Sequence, residues 1–311
     1  MGNLELNILG CGSATATLAH MPSCQMLNVR GHMMMIDCGE GAQLEMQRMH
    51  LKMSRLNNIF ISHLHGDHCF GLLGLLSTMA LHNKGGEVTV HIFKEGAELF
   101  ERMINFFCRE RSYELKFNVI DTRRRLIYED NAITVETFPV THRVPCVGFL
   151  FKEKPKLRHI NPESCKQYNV PPYAMSALRQ GQDFITSDGE VIPNALLTTD
   201  ADRSISYAYC SDTKFSTRVI KAVEGVDWIY HEATYGDENV KNAVKRGHST
   251  ARLAATVARD AHCKRLILGH YSSRYEGMED CLLQQAREVF KPTILAQEGL
   301  TINLSNVNWQ P

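Results

Sequence analysis

His63-Leu64-His65-Gly66-Asp67-His68 places three imidazoles and a carboxylate within six positions, directly after the apolar run Ile59-Phe60-Ile61. A core strand has no use for that density of polar groups, because each buried one needs a partner. Divalent metal does: imidazole and carboxylate suit zinc, and a tight turn can aim alternate side chains at two ions. His63 and His65, two apart, point the same way from an extended segment, while Asp67 and His68 can serve a second ion across the turn. A His-rich surface loop is the plain alternative, and context decides against it. His142 follows the strand-like residues 133–140, Asp212 follows 205–210, and His270 follows 266–269. If those runs are strands of one layered α/β domain, their ends can meet at one rim, where such sites usually sit.

Three further groups narrow the reading. His231-Glu232-Ala233-Thr234 follows the strand-like residues 226–230, His248-Ser249-Thr250 opens the next helix, and His270 leads into Tyr271-Ser272-Ser273-Arg274-Tyr275. Together with the H-x-H-x-D-H motif, they resemble the short form of the ribonuclease Z family. That family consists of endonucleases that trim the 3′ end of precursor tRNA, within the metallo-β-lactamase superfamily of binuclear hydrolases. The resemblance runs from about residue 4 to about residue 304. It implies a four-layer αββα sandwich spanning 1–311 as one domain, with a protruding RNA-binding arm at about 152–200. It implies two Zn2+, with Mn2+ or another divalent ion possible in their place. The first would take His63, His65 and His142, the second Asp67, His68 and His270, with Asp212 bridging both. Such a pair supplies a hydroxide for in-line attack on a phosphodiester, and Asp67 is placed to orient the water or accept its proton.

The leaving ribose 3′ oxygen needs a proton, and a general acid is worth about 10²–10⁴-fold. His248 is the candidate, with Glu232 holding its other ring nitrogen as in catalytic triads. The competing role for His248 is helix entry, with Ser249 or Thr250 as the N-cap. His231 reads as structural, and Arg274 suits a phosphate. Two stretches depart from the family pattern. Residues 14–23 lack the basic P-x-K-x-R-N loop, and Pro171-Pro172-Tyr173-Ala174 stands where many arms carry Gly-Pro. The alternative activity is that of another binuclear hydrolase, such as a phosphodiesterase, lactonase or arylsulfatase. A non-catalytic RNA-binding protein fits poorly with seven filled ligand positions.

The elements that must position these residues alternate between short apolar runs and helical patterns. Strands are predicted at 4–8, 33–36, 88–93, 226–230, 264–269 and 293–297. Helices are predicted at 40–50, 70–81, 95–107, 249–262 and 278–290, with Leu99, Met103 and Phe107 at helical spacing read as core. Residues 152–200 do not fit a compact core. There Lys152, Lys154, Lys156 and Arg158 precede Pro162, Pro171 and Pro172, and residues 152–183 carry a net charge of +3. Such a long insertion is read as a basic arm on a nucleic-acid backbone, against a solvated loop.

Composition bounds the rest. With 311 residues, 44% of them hydrophobic, the chain can build one large domain or two small ones. It has 34 Lys+Arg and 34 Asp+Glu, a balance that neither supports nor excludes RNA, since only a local basic surface is needed. Ten scattered cysteines without a C-x-x-C pair suggest reduced thiols and a cytoplasmic protein. No targeting segment or membrane span is expected. The expected partners are precursor tRNA and a second copy of the chain as a homodimer.

Overall fold

The computed structural model of the chain describes residues 4–306; residues 1–3, part of the segment read as lacking a targeting signal, and 307–311 lie outside it. Two compact units divide the chain: Met1–Lys152 with Ile205–Pro311, and Glu153–Ser204.

The larger unit holds two seven-stranded sheets. In the first, Leu4–Gly10, Cys24–Val29, His32–Cys38, Leu56–Phe60, Glu87–Phe93 and Glu114–Ile120 lie side by side in chain order, and Thr301–Asn303 flanks Leu4–Gly10. The second runs Arg125–Glu129, Ile133–Pro139, Val147–Glu153, Ser206–Cys210, Trp228–Glu232, Arg265–Gly269, Thr293–Leu295. The four strands from His32–Cys38 to Glu114–Ile120 pair in parallel in the first sheet, and the four from Ser206–Cys210 to Thr293–Leu295 do so in the second. Parallel neighbours need crossovers. Helices Ala42–Arg48, Gly71–Leu81 and Lys94–Phe107 supply them for the first sheet, and Thr217–Ala222, Ala251–Asp260 and Glu279–Arg287 for the second.

The inner faces of the sheets meet in a buried core rich in aromatic rings. The Phe60 ring centroid lies 5.6 Å from that of Phe149 and 5.5 Å from that of Phe151. On the outer face of the first sheet, Met26 and Ile59 pack with Leu72, Leu75, Leu76, Phe100 and Ile104 of the helices. On the second, Ala254, Ala255 and Ala258 share a cluster with Leu266 and Leu268. Helices therefore cover both sheets, in the αββα order that the resemblance implied.

Helix Lys94–Phe107 corrects one expectation. Its buried stripe is Ala97, Phe100 and Ile104, while Leu99, Phe106 and Phe107 are exposed. Both series have helical spacing, so periodicity could not choose the phase. Gly96 chooses it: a Cβ there would lie 2.5 Å from Leu64, so this face lies flush on the sheet. The predicted strand 226–230 is Trp228–Glu232, so His231 and Glu232 belong to the strand instead of following it. Four strands of the two sheets were not predicted: Cys24–Val29, Thr301–Asn303, Glu114–Ile120 and Arg125–Glu129. The last two are partly exposed edge strands of the first and second sheets, with charge where alternation should show.

Residues 153–204 correct another. They have a core of their own, in which Cys165, Leu178, Phe184, Ile192 and Leu197 are buried together. Their core residues lie several positions apart in the chain, and short helices and two-residue strands gather them. Asn161 caps one such helix by accepting from Ser164 N–H, with Pro162 as its first residue. Over the whole unit, six Lys+Arg face seven Asp+Glu, so the local excess of positive charge over 152–183 is balanced downstream.

Candidate metal centre

Strand ends converge as the sequence suggested. Leu56–Phe60 leads to His63 and His65, Ile133–Pro139 to His142, Ser206–Cys210 to Asp212, and Arg265–Gly269 to His270. His270 turns inward with φ +61°, a left-handed conformation that is uncommon for a non-glycine residue. The short helix Gly66–Cys69 carries Asp67 and His68.

Two groups of donor atoms form there, His63, His65 and His142 in one and Asp67, His68 and His270 in the other, and His248 also lies within donor reach of Asp212 and His270. Asp212 faces both groups. Its Oδ2 lies 3.6 Å from Nε2 of His63 and of His142. Its Oδ1 lies 3.2 Å from His270 Nε2 and 3.5 Å from His68 Nε2. Burial raises the Asp212 carboxyl, but His270 and then His68 and His63 pull it well below the usual range.

The proton bookkeeping calls for cations. His68 Nδ1 donates to Asp37 Oδ2 at 2.7 Å, and His142 Nδ1 to the Gly247 carbonyl at 2.8 Å. Thr234 Oγ1 gives its proton to Glu232 Oε2 at 2.7 Å and so accepts from His270 Nδ1 at 2.8 Å. Ser62 Oγ likewise donates to Asp37 at 2.9 Å and accepts from His63 Nδ1 at 3.0 Å. With the outer nitrogens of His63, His68, His142 and His270 protonated, their inner nitrogens present lone pairs: His68 Nε2 faces His270 Nε2 at 3.3 Å, and His63 Nε2 and His142 Nε2 turn to His65 Nδ1 at 3.0 Å and 3.3 Å. Asp212 Oδ1, also buried, has no hydrogen-bond partner. Facing lone pairs and an orphaned carboxylate oxygen fit divalent ions, and the outer hydrogen bonds are those that orient metal-binding histidines.

Beside this centre, His248 Nδ1 lies 3.1 Å from Glu232 Oε1 and 3.8 Å from Asp212 Oδ2. Burial opposes charge on His248, but Glu232 and then Asp212 push its pKa up to about 9. Glu232 is fully buried and accepts from Thr213 N–H, Ser249 N–H, Thr234 N–H and Thr234 Oγ1, so it ties His248 to the shell of His270. Thr250 is the N-cap of helix Ala251–Asp260, accepting from Leu253 N–H, so capping does not require His248. His231 is buried, with Nδ1 on the Glu232 carbonyl at 2.8 Å, away from the donor groups.

A cleft of about 760 Å³ opens over the centre, lined by His65, Asp67, Asp212, His248 and His270, with Arg143, Arg246 and Arg274 among its walls. Arg274 is thus where the sequence pointed. Arg143 and Arg246 were missed; the first is next to a ligand, which was the available signal. Asp37 was missed as well, although it closes an apolar strand as the ligands do. It is buried at φ +54° and accepts from His68, Ser62 N–H, Ser62 Oγ and the Tyr209 hydroxyl. The basic residues of the insertion have acidic partners: Lys152 with Glu136, Lys156 with Glu153, and Arg158 with Asp200, and Lys154 is also engaged.

The segment that lacks the family's basic loop is pinned. Ala14 N–H donates to Asp67 Oδ2 at 2.7 Å, and His20 puts Nδ1 3.0 Å from Glu298 and Nε2 2.9 Å from Glu279. The bond to Glu298 leads; against burial, it and Glu279 push His20 up to about 9. The folded value lies above the unfolded one. The stabilisation is therefore full below about pH 6.5 and lost as pH rises through about 9. His20→Gln is expected to cost about 2 kcal/mol after solvent screening near pH 6 and little near pH 10. Urea melts at the two pH values check this; an equal cost at both would show that His20 acts by packing alone.

Two sheets between helices, with a His/Asp centre at the strand ends, define a protein of the metallo-β-lactamase fold. The metallo-β-lactamase fold protein YhfI from Bacillus subtilis superposes with a TM-score of 0.68 at 15% identity, over 96% of this chain and 99% of that one. Human tRNase Z, short form, superposes with a TM-score of 0.69 at 24% identity, over 97% and 99%. The family model described as anti-Pycsar protein Apyc1 matches residues 4–163, a stretch that stops short of Asp212, His248 and His270. Full-length relatives reach further: ribonuclease Z of Parabacteroides distasonis and of Bacteroides fragilis are each 47% identical over 305 residues, 98% of this chain and all of theirs. The chain belongs to the ribonuclease Z family.

Proposed function

We propose that this chain is a metal-dependent endoribonuclease that removes the 3′ trailer from precursor tRNA. The observation that carries the reading is the His248–Glu232 pair at 3.1 Å beside a seven-donor centre. A proton donor next to metal ligands is needed when the departing group is an alkoxide such as a ribose 3′ oxygen, and is idle when the leaving group is acidic. The full-length relatives named ribonuclease Z support the same activity.

His63, His65 and His142 would hold one ion and Asp67, His68 and His270 the other, with Asp212 shared; imidazole and carboxylate donors suit zinc, with manganese as a substitute. The chemistry such ions supply is activation of a water and neutralisation of charge at phosphorus. Asp67 is positioned by Ala14 N–H to orient or deprotonate that water. His248 delivers its proton to the leaving oxygen while Glu232 holds the opposite ring nitrogen. Arg143, Arg246 and Arg274 pair with flanking phosphates. Among the described residues no helix is long and apolar enough to cross a membrane. A cytoplasmic homodimer, with residues 153–204 helping to hold the tRNA, completes the reading.

Purified protein given zinc or manganese should trim precursor tRNA at a defined 3′ position. A second reading is hydrolysis of small phosphodiesters, since fold and donor set alone do not choose the substrate. Cleavage of a chromogenic diester without RNA trimming would select it. Replacing residues 154–204 with a short Gly/Ser linker is expected to raise KM for precursor tRNA by about tenfold or more while a small diester is still cut. The whole unit must go, because its core residues Cys165 and Leu197 come from opposite ends. An unchanged KM would remove the RNA-holding role.

A further inference from the structure

We propose that Phe70 is a stacking platform for a nucleobase beside the scissile phosphate. The proposal rests on the endoribonuclease reading above and names a contact by which the cleft would grip RNA.

Phe70 sits between helices Gly66–Cys69 and Gly71–Leu81, two residues after His68. It is 71% exposed. Exposure alone means little, since single apolar side chains on a surface are ordinary. Its place is what sets it apart. Phe70 lines the cleft with His65, Gly66 and Asp67, while Tyr235, the other aromatic wall residue among those described, is only 4% exposed.

The ring is also held. A Cβ on Gly66 would lie 2.2 Å from Phe70 Cε2 and 2.4 Å from Cζ, so the ring rests directly on the Gly66 backbone. Phe70 N–H donates to the Gly66 carbonyl at 2.8 Å, which fixes the main chain beneath it. An aromatic surface set in advance loses little freedom when a flat partner lands on it.

The chemistry of the cleft selects that partner. Guanidinium groups and metal ligands serve phosphate oxygens, but an exposed phenyl ring among them has no ionic or hydrogen-bonding use. A nucleobase offers a π-face whatever its identity, so one aromatic wall can serve many tRNA sequences. Because Phe70 stands beside ligands from both donor groups, the base it meets belongs to a nucleotide adjoining the cut.

The test is a cycle on the holoenzyme. Wild type and Phe70→Leu are compared on precursor tRNA that is intact, or abasic at one or the other nucleotide flanking the cleaved bond. In wild type, removing the base at one of these positions should raise KM by about 5- to 150-fold, the span that stacking on an aromatic gives. In Phe70→Leu the same removal should add less than about twofold, because the stacking is already lost. Phe70→Trp should restore the wild-type sensitivity. If the Leu variant is as sensitive to the missing base as wild type, or if Trp fails to restore it, the platform is refuted and Phe70 is a wall of the metal loop. If wild type trims no precursor tRNA, the endoribonuclease reading falls, and the platform falls with it.

Discussion

Asp212→Ala is expected to abolish hydrolysis of both precursor tRNA and small diesters and to strip bound metal. Asp212 is the one carboxylate that faces both donor groups, with each oxygen turned to a different pair of histidines. Removing it leaves the first donor group with imidazoles alone and the second with Asp67 as its one carboxylate, so the shared charge is lost from both. The neighbouring Asp67 cannot stand in, since its Oδ2 lies beside His68 and His270 of one donor group and accepts from Ala14 N–H. Metal analysis of the purified variant, beside turnover, checks the claim. A variant that kept two tightly held ions and normal turnover would show the ligand assignment to be wrong.

His248→Ala should behave differently. Its metal content and RNA binding should persist, because His248 Nδ1 is committed to Glu232 and Thr234. Turnover of precursor tRNA should fall by about 10²–10⁴-fold, the usual worth of a general acid. A nitrophenyl ester has a leaving group that departs without a proton, so its loss should be much smaller. Glu232→Gln should share the substrate dependence, in milder form, because an amide can orient the ring without favouring its charge. An equal loss on both substrate types would rule out the acid role and leave His248 as a structural support.

The candidate ligands were legible because residue type and strand-end position are local properties. His63, His142, Asp212 and His270 each end an apolar run, and each comes to the same rim. The helix over 95–107 was legible as a helix but not in its phase, since Leu99-Met103-Phe107 and Ala97-Phe100-Ile104 have compatible spacing. Only the close approach of Gly96 to Leu64 separates them. Residues 153–204 misled for the opposite reason: their core residues are isolated in sequence, and acidic partners for Lys156 and Arg158 lie on both sides of them in the chain.

The sequence by itself determined which atoms can hold metal and which family the chain resembles, because the chemistry resides in residue types at short spacing. Tertiary structure decided how those atoms are aimed. Asp37 reaches His68 across 31 residues, Thr234 reaches His270 across 36, and the Gly247 carbonyl reaches His142 across 105. Those partners depend on sheet register and on how two sheets face each other, and no local pattern encodes either. The same holds for the clamp on His20, whose partners Glu279 and Glu298 become its neighbours only when the chain packs.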